Sequence, residues 1–139
     1  METEIILCDT DTIIEVINNN TELIYFLEDL GIDSLIISSI TRAEVQQGAR
    51  NKRHLSKMNR ELNKFPVIDI DDSISRCFSR LFEQFILSHK CGIPDIINAA
   101  SAIVYDLPFM TMNLKDFKYI PGLRLIPHNI KPKRNTGFL

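Results

Sequence analysis

The sequence lacks features that would each define a class of protein. No apolar run approaches the roughly 20 residues that a helix needs to cross a bilayer, which argues against a membrane protein. Its three cysteines, Cys8, Cys77 and Cys91, have no metal-ligand spacing, and its three histidines are scattered. A zinc site of Cys and His is therefore not expected, and Cys8 is expected to be a buried thiol. The acidic start, Met1-Glu2-Thr3-Glu4, is unlike a signal peptide, so we expect a protein of the reducing cytoplasm.

Short apolar runs alternate with amphipathic segments along the chain. The runs predict buried strands at 4–9, 34–38, 65–70 and 108–112, with a fifth at 123–126. Helices are predicted at 11–19, 21–30 (capped by Thr21), 39–47 and 51–64, then from Asp72 or Ser73, and from Pro94. The alternation predicts an α/β fold: a single-domain three-layer sandwich with a central parallel sheet of four to five strands. We assign residues 1–130 to this domain and residues 131–139 to a basic C-terminal tail.

Acidic residues stand where the chain leaves these predicted strands, namely at Asp9, Glu44, Asp95 and Asp116. Each has a structural explanation: Asp9 suits a turn, Glu44 a capping box with Thr41, and the other two the start of a helix. All four, however, fall on the sheet edge where open α/β sheets bind their ligands. Carboxylates gathered there would repel one another unless a hard cation lay among them. The pattern therefore predicts an all-oxygen site for Mg²⁺ or Mn²⁺.

Small polar residues accompany these acids and are expected to orient the carboxylates. They are Thr10, Asp11, Ser38, Ser39, Thr111 and Asn113. Around another strand end, Asp69, Asp71 and Asp72 have no such companions. We expect these three to be turn and cap residues outside the site.

Lys and Arg are absent from residues 1–33, which hold nine acids. The remainder holds nine acids against sixteen bases, six of them within 50–64 (Arg50, Lys52, Arg53, Lys57, Arg60 and Lys64). A second cluster comprises Lys131, Lys133 and Arg134. A charged stretch is usually a solvated face, but beside a metal site these clusters favour a polyanionic substrate.

A phosphodiester substrate suggests a mechanism. A metal held by Asp9, Asp95 and Asp116 would lower the pKa of bound water and polarise the phosphoryl oxygen. Glu44 either completes the metal shell or acts as a general base through a water, and both alternatives stay open, as does the number of ions. Arg42 and Lys115, each near an acidic motif, are candidates to bind phosphate, with solvated surface as the equal alternative.

Four segments together resemble the acidic motifs of PIN-domain ribonucleases, and most closely the VapC-type toxins. The segments are Cys8-Asp9-Thr10-Asp11, Ser38 to Glu44, Pro94 to Ala100 and Thr111 to Phe117. The resemblance covers about residues 4–126 and implies a Mg²⁺- or Mn²⁺-dependent endoribonuclease with a cognate antitoxin. By matching positions it assigns Asp9, Glu44, Asp95 and Asp116 as the acidic set, with Thr111 and Asn113 in support. Two positions depart from the family pattern: Asp11, where Asn is common, and Asn98, where an apolar residue is more usual.

Two other interpretations compete with the nuclease. Asp9-Thr10-Asp11-Thr12 is close to the opening motif of haloacid-dehalogenase phosphohydrolases, in which Asp9 would be the nucleophile and Asp11 its acid/base. The later motifs of that group are missing, however. A catalytically inert PIN-like module that binds RNA or protein is the second alternative, and the presence of all four acids argues against it.

The acidic first region also suggests a partner. A strongly negative surface attracts a basic polypeptide, so we expect the antitoxin to dock along residues 11–30 and to direct a basic side chain at the acids. Apolar residues in this region exceed what one helix face can bury. They are Ile13, Ile14, Ile17, Leu23, Tyr25, Phe26 and Leu27. We further expect a homodimer formed through the helix that carries Phe78, Phe82 and Phe85.

Overall fold

A computed structural model describes residues 4–30 and 32–133, and its strands form one parallel sheet. They are β1 (Glu4–Cys8), β2 (Ile32–Ser38), β3 (Val67–Ile68) and β4 (Phe109–Met110). The strand order is β3-β2-β1-β4. Every pair is parallel, so the carboxyl ends of all four strands lie at one edge. This confirms the predicted parallel sheet.

The predicted fifth strand, at 123–126, is not formed. Leu125 makes only an isolated parallel bridge to Phe109, whose backbone also bonds to Arg124 O and Ile126 N. Pro127 has no N–H to extend this pairing, and a turn at Gly122, with φ of +81°, precedes it. β3 and β4 are also shorter than predicted, and each follows a proline.

Six α-helices lie in the described part of the chain. They are α1 (Thr10–Ile17), α2 (Thr21–Asp29), α3 (Ser39–Gln47), α4 (Lys52–Leu62), α5 (Asp72–Phe85) and α6 (Ile93–Val104), followed by a 3₁₀ turn at Leu114–Asp116. α1 ends two residues before the predicted end because Asn19 takes a left-handed conformation with φ of +59°. The predicted cap Thr21 is wrong: Asn20 caps α2, and its Oδ1 accepts a 3.3 Å hydrogen bond from Leu23 N.

Alternate residues of β1 face opposite sides of the sheet. Ile6 and Cys8 join a core with residues of α1, α2, α3 and α4. Leu7 joins a second core with residues of α5 and α6. Burial on both faces explains the continuous apolar run, and it confirms both the three-layer sandwich and the buried thiol of Cys8.

The start of the predicted tail packs onto the first two helices. Ile130 is buried in the core with α1 and α2. Glu15 accepts a 2.6 Å hydrogen bond from Lys133 N, and Asn20 Nδ2 donates to Lys131 O at 3.3 Å. Residues 131–133 are thus attached to the domain, whereas residues 134–139, including Arg134, lie outside the described residues. Among the described helices, none is both long and apolar enough to cross a membrane.

Candidate active site

Asp9 lies at the end of the central strand, where it also caps α1. Its Oδ1 accepts hydrogen bonds from Thr10 N at 2.9 Å and from Asn98 Nδ2 at 3.2 Å. Its Oδ2 accepts from Thr111 Oγ1 at 2.9 Å. With only 5% of its surface exposed, this carboxylate is held on both sides and has little freedom to turn.

The surroundings of Asp9 disfavour its charge. Burial raises the pKa of Asp9 to about 7, with repulsion by Asp11 and then Asp95 adding to the rise, while hydrogen bonds from Thr111 and Thr10 oppose it. The pKa of Asp11 is also raised, chiefly by burial. This pair therefore concentrates negative charge at the end of β1, in a place where water solvates it poorly.

Asp95 lies in the first turn of α6 and is half-buried. Burial raises its pKa to about 6, and repulsion by Glu44, Asp116 and Asp11 adds to the rise. Because such repulsion weakens with distance, these carboxylates lie near one another. The tertiary structure thus brings acids from α1, α3, α6 and the 3₁₀ turn to the edge of the sheet that Asp9 occupies.

Gly92 makes room for the Asp95 carboxylate. It is the N-cap of α6, with ordinary dihedrals, and supplies no side-chain cap. A Cβ at this position would lie 3.0 Å from Asp95 Oδ2, tighter than normal van der Waals contact. The carboxylate therefore folds back over the start of its own helix, where the helix dipole favours negative charge.

Glu44 faces α1. Its Oε1 accepts a 2.6 Å hydrogen bond from Thr10 Oγ1. The capping-box explanation for Thr41 and Glu44 is wrong, because Ser38 is the N-cap of α3 and accepts from Thr41 N at 3.1 Å. Of the two serines predicted to accompany the acids, Ser38 links this strand end to the site through Asn98, whereas Ser39 is the half-buried first residue of α3.

Asp116 is exposed at the end of the 3₁₀ turn and accepts a hydrogen bond from Asn113 Nδ2. Asp11 holds the neighbouring loop, since its Oδ1 accepts from Met112 N at 3.2 Å. Within the described residues, no three His, Cys, Asp or Glu side chains are grouped closely enough to hold a metal ion as they stand. The ligand roles of Asp9, Asp95 and Asp116 thus stay a prediction.

Asn98 is a site residue that the sequence marked only as a departure from the family pattern. It is fully buried, accepts a hydrogen bond from Ser38 Oγ at 2.5 Å, and donates to Asp9 Oδ1 at 3.2 Å and Thr41 Oγ1 at 3.1 Å. It therefore ties β2 and α3 to the central carboxylate. Its position three residues after Asp95, on one helix face and within an apolar stripe, was the signal that could have identified it.

His128 supports the same loop from the C-terminal segment. Its Nε2 lies 2.7 Å from Thr111 O, and its Nδ1 accepts from Ile130 N at 3.1 Å. A neutral ring protonated at Nε2 satisfies both contacts. His128 thereby positions Thr111, whose hydroxyl bonds to Asp9, and nothing local in the sequence indicated this contact.

The basic residues fall into separate places. Arg50 and Arg53 line a groove of about 640 Å³ along α4, together with Asn51, His54, Ser56, Lys57 and Arg60. Lys115 lines a second groove of about 390 Å³ with Lys118, His128 and Lys131, next to the Asn113 loop. Arg42 donates instead to Asn63 Oδ1 at 3.0 Å, and Lys52 is exposed on the first turn of α4. Both grooves offer positive charge, whereas Arg42 has a structural contact.

Asp71 lies away from the acids described above. It caps α5 and accepts from Tyr105 Oη at the carboxyl end of α6, the end opposite to Asp95. Its hydrogen bonds, first that from Tyr105, hold the pKa of Asp71 below its usual value. Asp69 and Asp72 are exposed at the start of the same segment.

A model of the PIN domain family matches residues 6–123 of this chain. The chain belongs to the PIN-domain family. It is 31% identical over 130 residues to "Ribonuclease VapC2" of Rickettsia felis, with 87% of this chain and 96% of that protein covered. This relation places it with the VapC-type PIN domains.

Solved structures agree with this assignment. The VapBC2 structure from Rickettsia felis, bound to a DNA fragment from its promoter, has a TM-score of 0.78 and 26% identity, covering 90% of this chain and 99% of that one. DNA-bound VapBC from Salmonella typhimurium has a TM-score of 0.76 and 28% identity, covering 90% and 98%. Because the PIN match includes Asp9-Thr10-Asp11, the haloacid-dehalogenase interpretation of that motif is wrong.

Proposed function

We propose that this VapC-type PIN domain is the toxin of a toxin–antitoxin pair and cleaves RNA as an endoribonuclease that depends on Mg²⁺ or Mn²⁺. The observation that carries the proposal is the mutual repulsion of Asp95 with Glu44, Asp116 and Asp11 beside the buried Asp9. The name of the Rickettsia ribonuclease, and basic grooves on this chain, support RNA as the substrate.

The residues at the acidic edge fit a hard divalent cation by the chemistry of their donors. Asp9, Asp95 and Asp116 offer carboxylate oxygens, and the raised pKa values of Asp9 and Asp95 reflect burial first and then repulsion by neighbouring carboxylates. A cation held by these three carboxylates would offset that repulsion and would supply Lewis acidity together with an activated water. The side chains would have to turn towards a common point to bind it, and of the three Asp116 is exposed and Asp95 half-buried.

Hydrogen bonds from the protein's own residues orient the acidic side chains. Thr111 donates to one oxygen of Asp9 and Asn98 donates to the other, so this carboxylate keeps one orientation throughout. The Thr10 hydroxyl holds Glu44 towards the acids, within reach of a water as general base or of the cation as a further ligand. Asp116 is the most exposed of the four acids, so the scissile phosphate approaches from its side.

Cleavage of a single-stranded RNA tests the proposal. The wild-type chain is expected to cleave with Mg²⁺ or Mn²⁺ and to stop on addition of chelator. Asp95→Asn is expected to lower the rate at least about 100-fold, because the variant loses a carboxylate that would bind the cation. Asp69→Asn, which removes an exposed carboxylate that we expect to lie outside the site, is the matched control and is expected to cleave normally. Normal cleavage by Asp95→Asn would overturn the mechanism.

An antitoxin partner is proposed because the solved relatives are VapBC complexes. Most apolar residues of 11–30 that suggested a groove are buried in this chain's own core, including Ile13, Leu23 and Leu27. Tyr25 and Leu30 remain 64% and 46% exposed. A smaller groove of about 270 Å³ runs between α1, α2 and the end of α4, lined by Val16, Ile17, Asn19, Ile24, Glu61, Lys64 and Phe65.

This groove and the exposed Tyr25 and Leu30 offer apolar surface for docking, and the nine acids of 1–33 favour a basic segment. Hydrogen exchange with a co-expressed antitoxin is expected to protect residues 11–30. Protection confined to 50–64 would place the partner elsewhere.

We also propose a cytoplasmic homodimer. All three cysteines are free thiols, which suits a reducing compartment. Phe78, Phe82 and Phe85 are only partly buried against the core of α5 and α6. Sedimentation of wild type and Phe82→Ser is expected to show a dimer that the variant weakens. An unchanged dimer would exclude this helix as the interface.

A further inference from the structure

A buried histidine that lines the groove along α4 has an unsatisfied hydrogen-bond donor. His54 is 7% exposed, and its Nδ1 accepts from Arg50 N at 3.1 Å. The proton of the neutral ring therefore lies on Nε2. His54 Nε2 is buried without a hydrogen-bond partner, and it is the one such side-chain atom among the residues that the structure describes. A buried donor in this state is costly, so it favours any ligand that brings an acceptor.

The other groups around His54 select the charge of that acceptor. Arg50, Arg53 and Arg60 line the same groove and are exposed. One end of the groove lies at the amino end of α4, an eleven-residue helix whose cap Asn51 accepts from His54 N at 2.8 Å. The amides of Lys52 and Arg53 in the first turn have no acceptor within the helix, and the dipole adds positive potential there. All of these features favour an anion with several acceptor oxygens.

The position of the groove connects it with the acidic edge. α3 carries Glu44 and ends at Gln47, three residues before Arg50. The helix covers only about 5 Å between Glu44 and its end, so a strand of RNA that reaches Glu44 needs only a few nucleotides to reach the groove.

We propose that this groove is a subsite for the RNA backbone, in which His54 Nε2 donates to a phosphate oxygen while Arg53 and Arg60 neutralise the phosphate. The inference rests on the proposed ribonuclease function. Solvent does not reach Nε2 in the structure, so the groups that cover it must move when the phosphate enters. The subsite contributes to affinity and not to bond cleavage, because it lies beyond the acids.

Binding without cleavage isolates the subsite. A fluorescein-labelled 2′-O-methyl oligonucleotide is titrated with the full-length chain in EDTA, and anisotropy gives the Kd at several salt concentrations. Arg53→Gln is expected to weaken binding about 10-fold and to lower the salt slope by about one ion. Arg76→Gln, a matched loss of one exposed Arg on α5 across the sheet, is expected to change Kd less than about 2-fold. Lys52→Gln, on α4 but outside the groove lining, is expected to change Kd by an amount between those of Arg53→Gln and Arg76→Gln.

Two substitutions of His54 separate its nitrogens. His54→Gln keeps a donor near the Nε2 position and is expected to bind within about 2-fold of wild type. His54→Asn keeps an acceptor near the Nδ1 position for Arg50 N but loses the donor, and is expected to bind about 5-fold more weakly. Equal losses in Arg53→Gln and Arg76→Gln, or equal affinity of the two His54 variants, would overturn the subsite. In wild type, addition of inorganic phosphate is expected to shift the His54 Nε2 proton resonance, and an unmoved resonance would count equally against it.

Failure of the ribonuclease function has a different signature. Wild type that leaves RNA intact with Mg²⁺ and Mn²⁺, yet shows the same pattern of affinities among the variants, would refute the nuclease and keep the phosphate subsite. Metal-dependent cleavage with no difference in affinity among the variants would keep the nuclease and refute the phosphate subsite.

Discussion

The acidic edge of the sheet and the basic groove of α4 both contain buried polar groups, but in opposite states. At the acidic edge, the buried side chains of Asn98, Ser38, Thr41 and Thr111 are linked by hydrogen bonds to each other or to Asp9. At the groove, His54 Nε2 is buried without a partner, and the arginines that line the groove are exposed.

The difference separates two ways of preparing a site. The acidic edge satisfies its hydrogen bonds and leaves its charge uncompensated, because burial raises the pKa values of Asp9 and Asp95 and repulsion by neighbouring carboxylates adds to the rise. The groove leaves the donor of His54 without an acceptor, and its positive charges are on exposed arginine side chains. Rigid placement suits chemistry at one atom, whereas mobile bases suit a backbone that differs from one substrate to the next.

The largest effect is expected from Asp9→Asn, which removes charge from the rigid site while preserving its hydrogen bonds. Its Oδ1 can still accept from Thr10 N and Asn98, and its Nδ2 can donate to Thr111. Metal-dependent cleavage is expected to fall at least about 100-fold. Without metal the variant is expected to melt no lower than wild type, because repulsion with Asp11 and Asp95 is relieved. A large drop in the melting temperature of the metal-free variant would show that Asp9 is chiefly structural.

Asn98→Leu is expected to have the next largest effect, and it removes hydrogen bonds without changing the charge of the site. The variant leaves Ser38 Oγ and Thr41 Oγ1 with fewer partners and is expected to lower the free energy of unfolding by about 2–4 kcal/mol. Urea denaturation measures this loss. Ser101→Ala in the same helix removes only a bond to Ile97 O and is expected to cost less than about 1 kcal/mol. Equal losses would mean that Asn98 is not the link between α6 and the acids.

The stability of the metal-free protein is expected to fall as pH rises. Asp9 has a pKa of about 7 in the folded state against about 4 when unfolded, and Asp95 has about 6, so between these values the native state binds more protons. The free energy of unfolding therefore decreases with pH across this window. Melting in EDTA from about pH 4 to pH 8 tests this, and Asp9→Asn is expected to flatten the curve. A wild-type curve that rises over the window would contradict the repulsion described here.

Gly92→Ala is expected to produce the smallest effect, confined to the position of one carboxylate. The dihedrals of Gly92 tolerate alanine, but the added Cβ would lie 3.0 Å from Asp95 Oδ2 and move it. Cleavage is expected to fall about 10-fold with little change in stability. Gly48→Ala, where the Cβ would meet its nearest neighbour at 3.4 Å, is the matched control. Equal activity in both variants would show that Asp95 tolerates displacement.

Much of the fold was predictable because it depends on local periodicity. Apolar runs and amphipathic stretches placed the four strands and six helices within a few residues, and acids after strands pointed to one sheet edge. Local sequence signals gave a wrong prediction where two local structures are similarly favourable. Asn20 and Thr21 are both good caps, and 123–126 is apolar enough for a strand, but prolines and a left-handed glycine limit it to one bridge.

The sequence by itself determined the α/β order, the carboxylates at the strand ends and the uneven distribution of charge, because periodicity, chain position and ionisation belong to individual residues. Only the tertiary structure decided which side chains meet. It joined Asn98 to Asp9 across 89 positions, His128 to Thr111 across 17, and it left His54 Nε2 alone in a basic groove. Hydrogen bonds are short and directional, so partners from different elements become defined only when the layers pack.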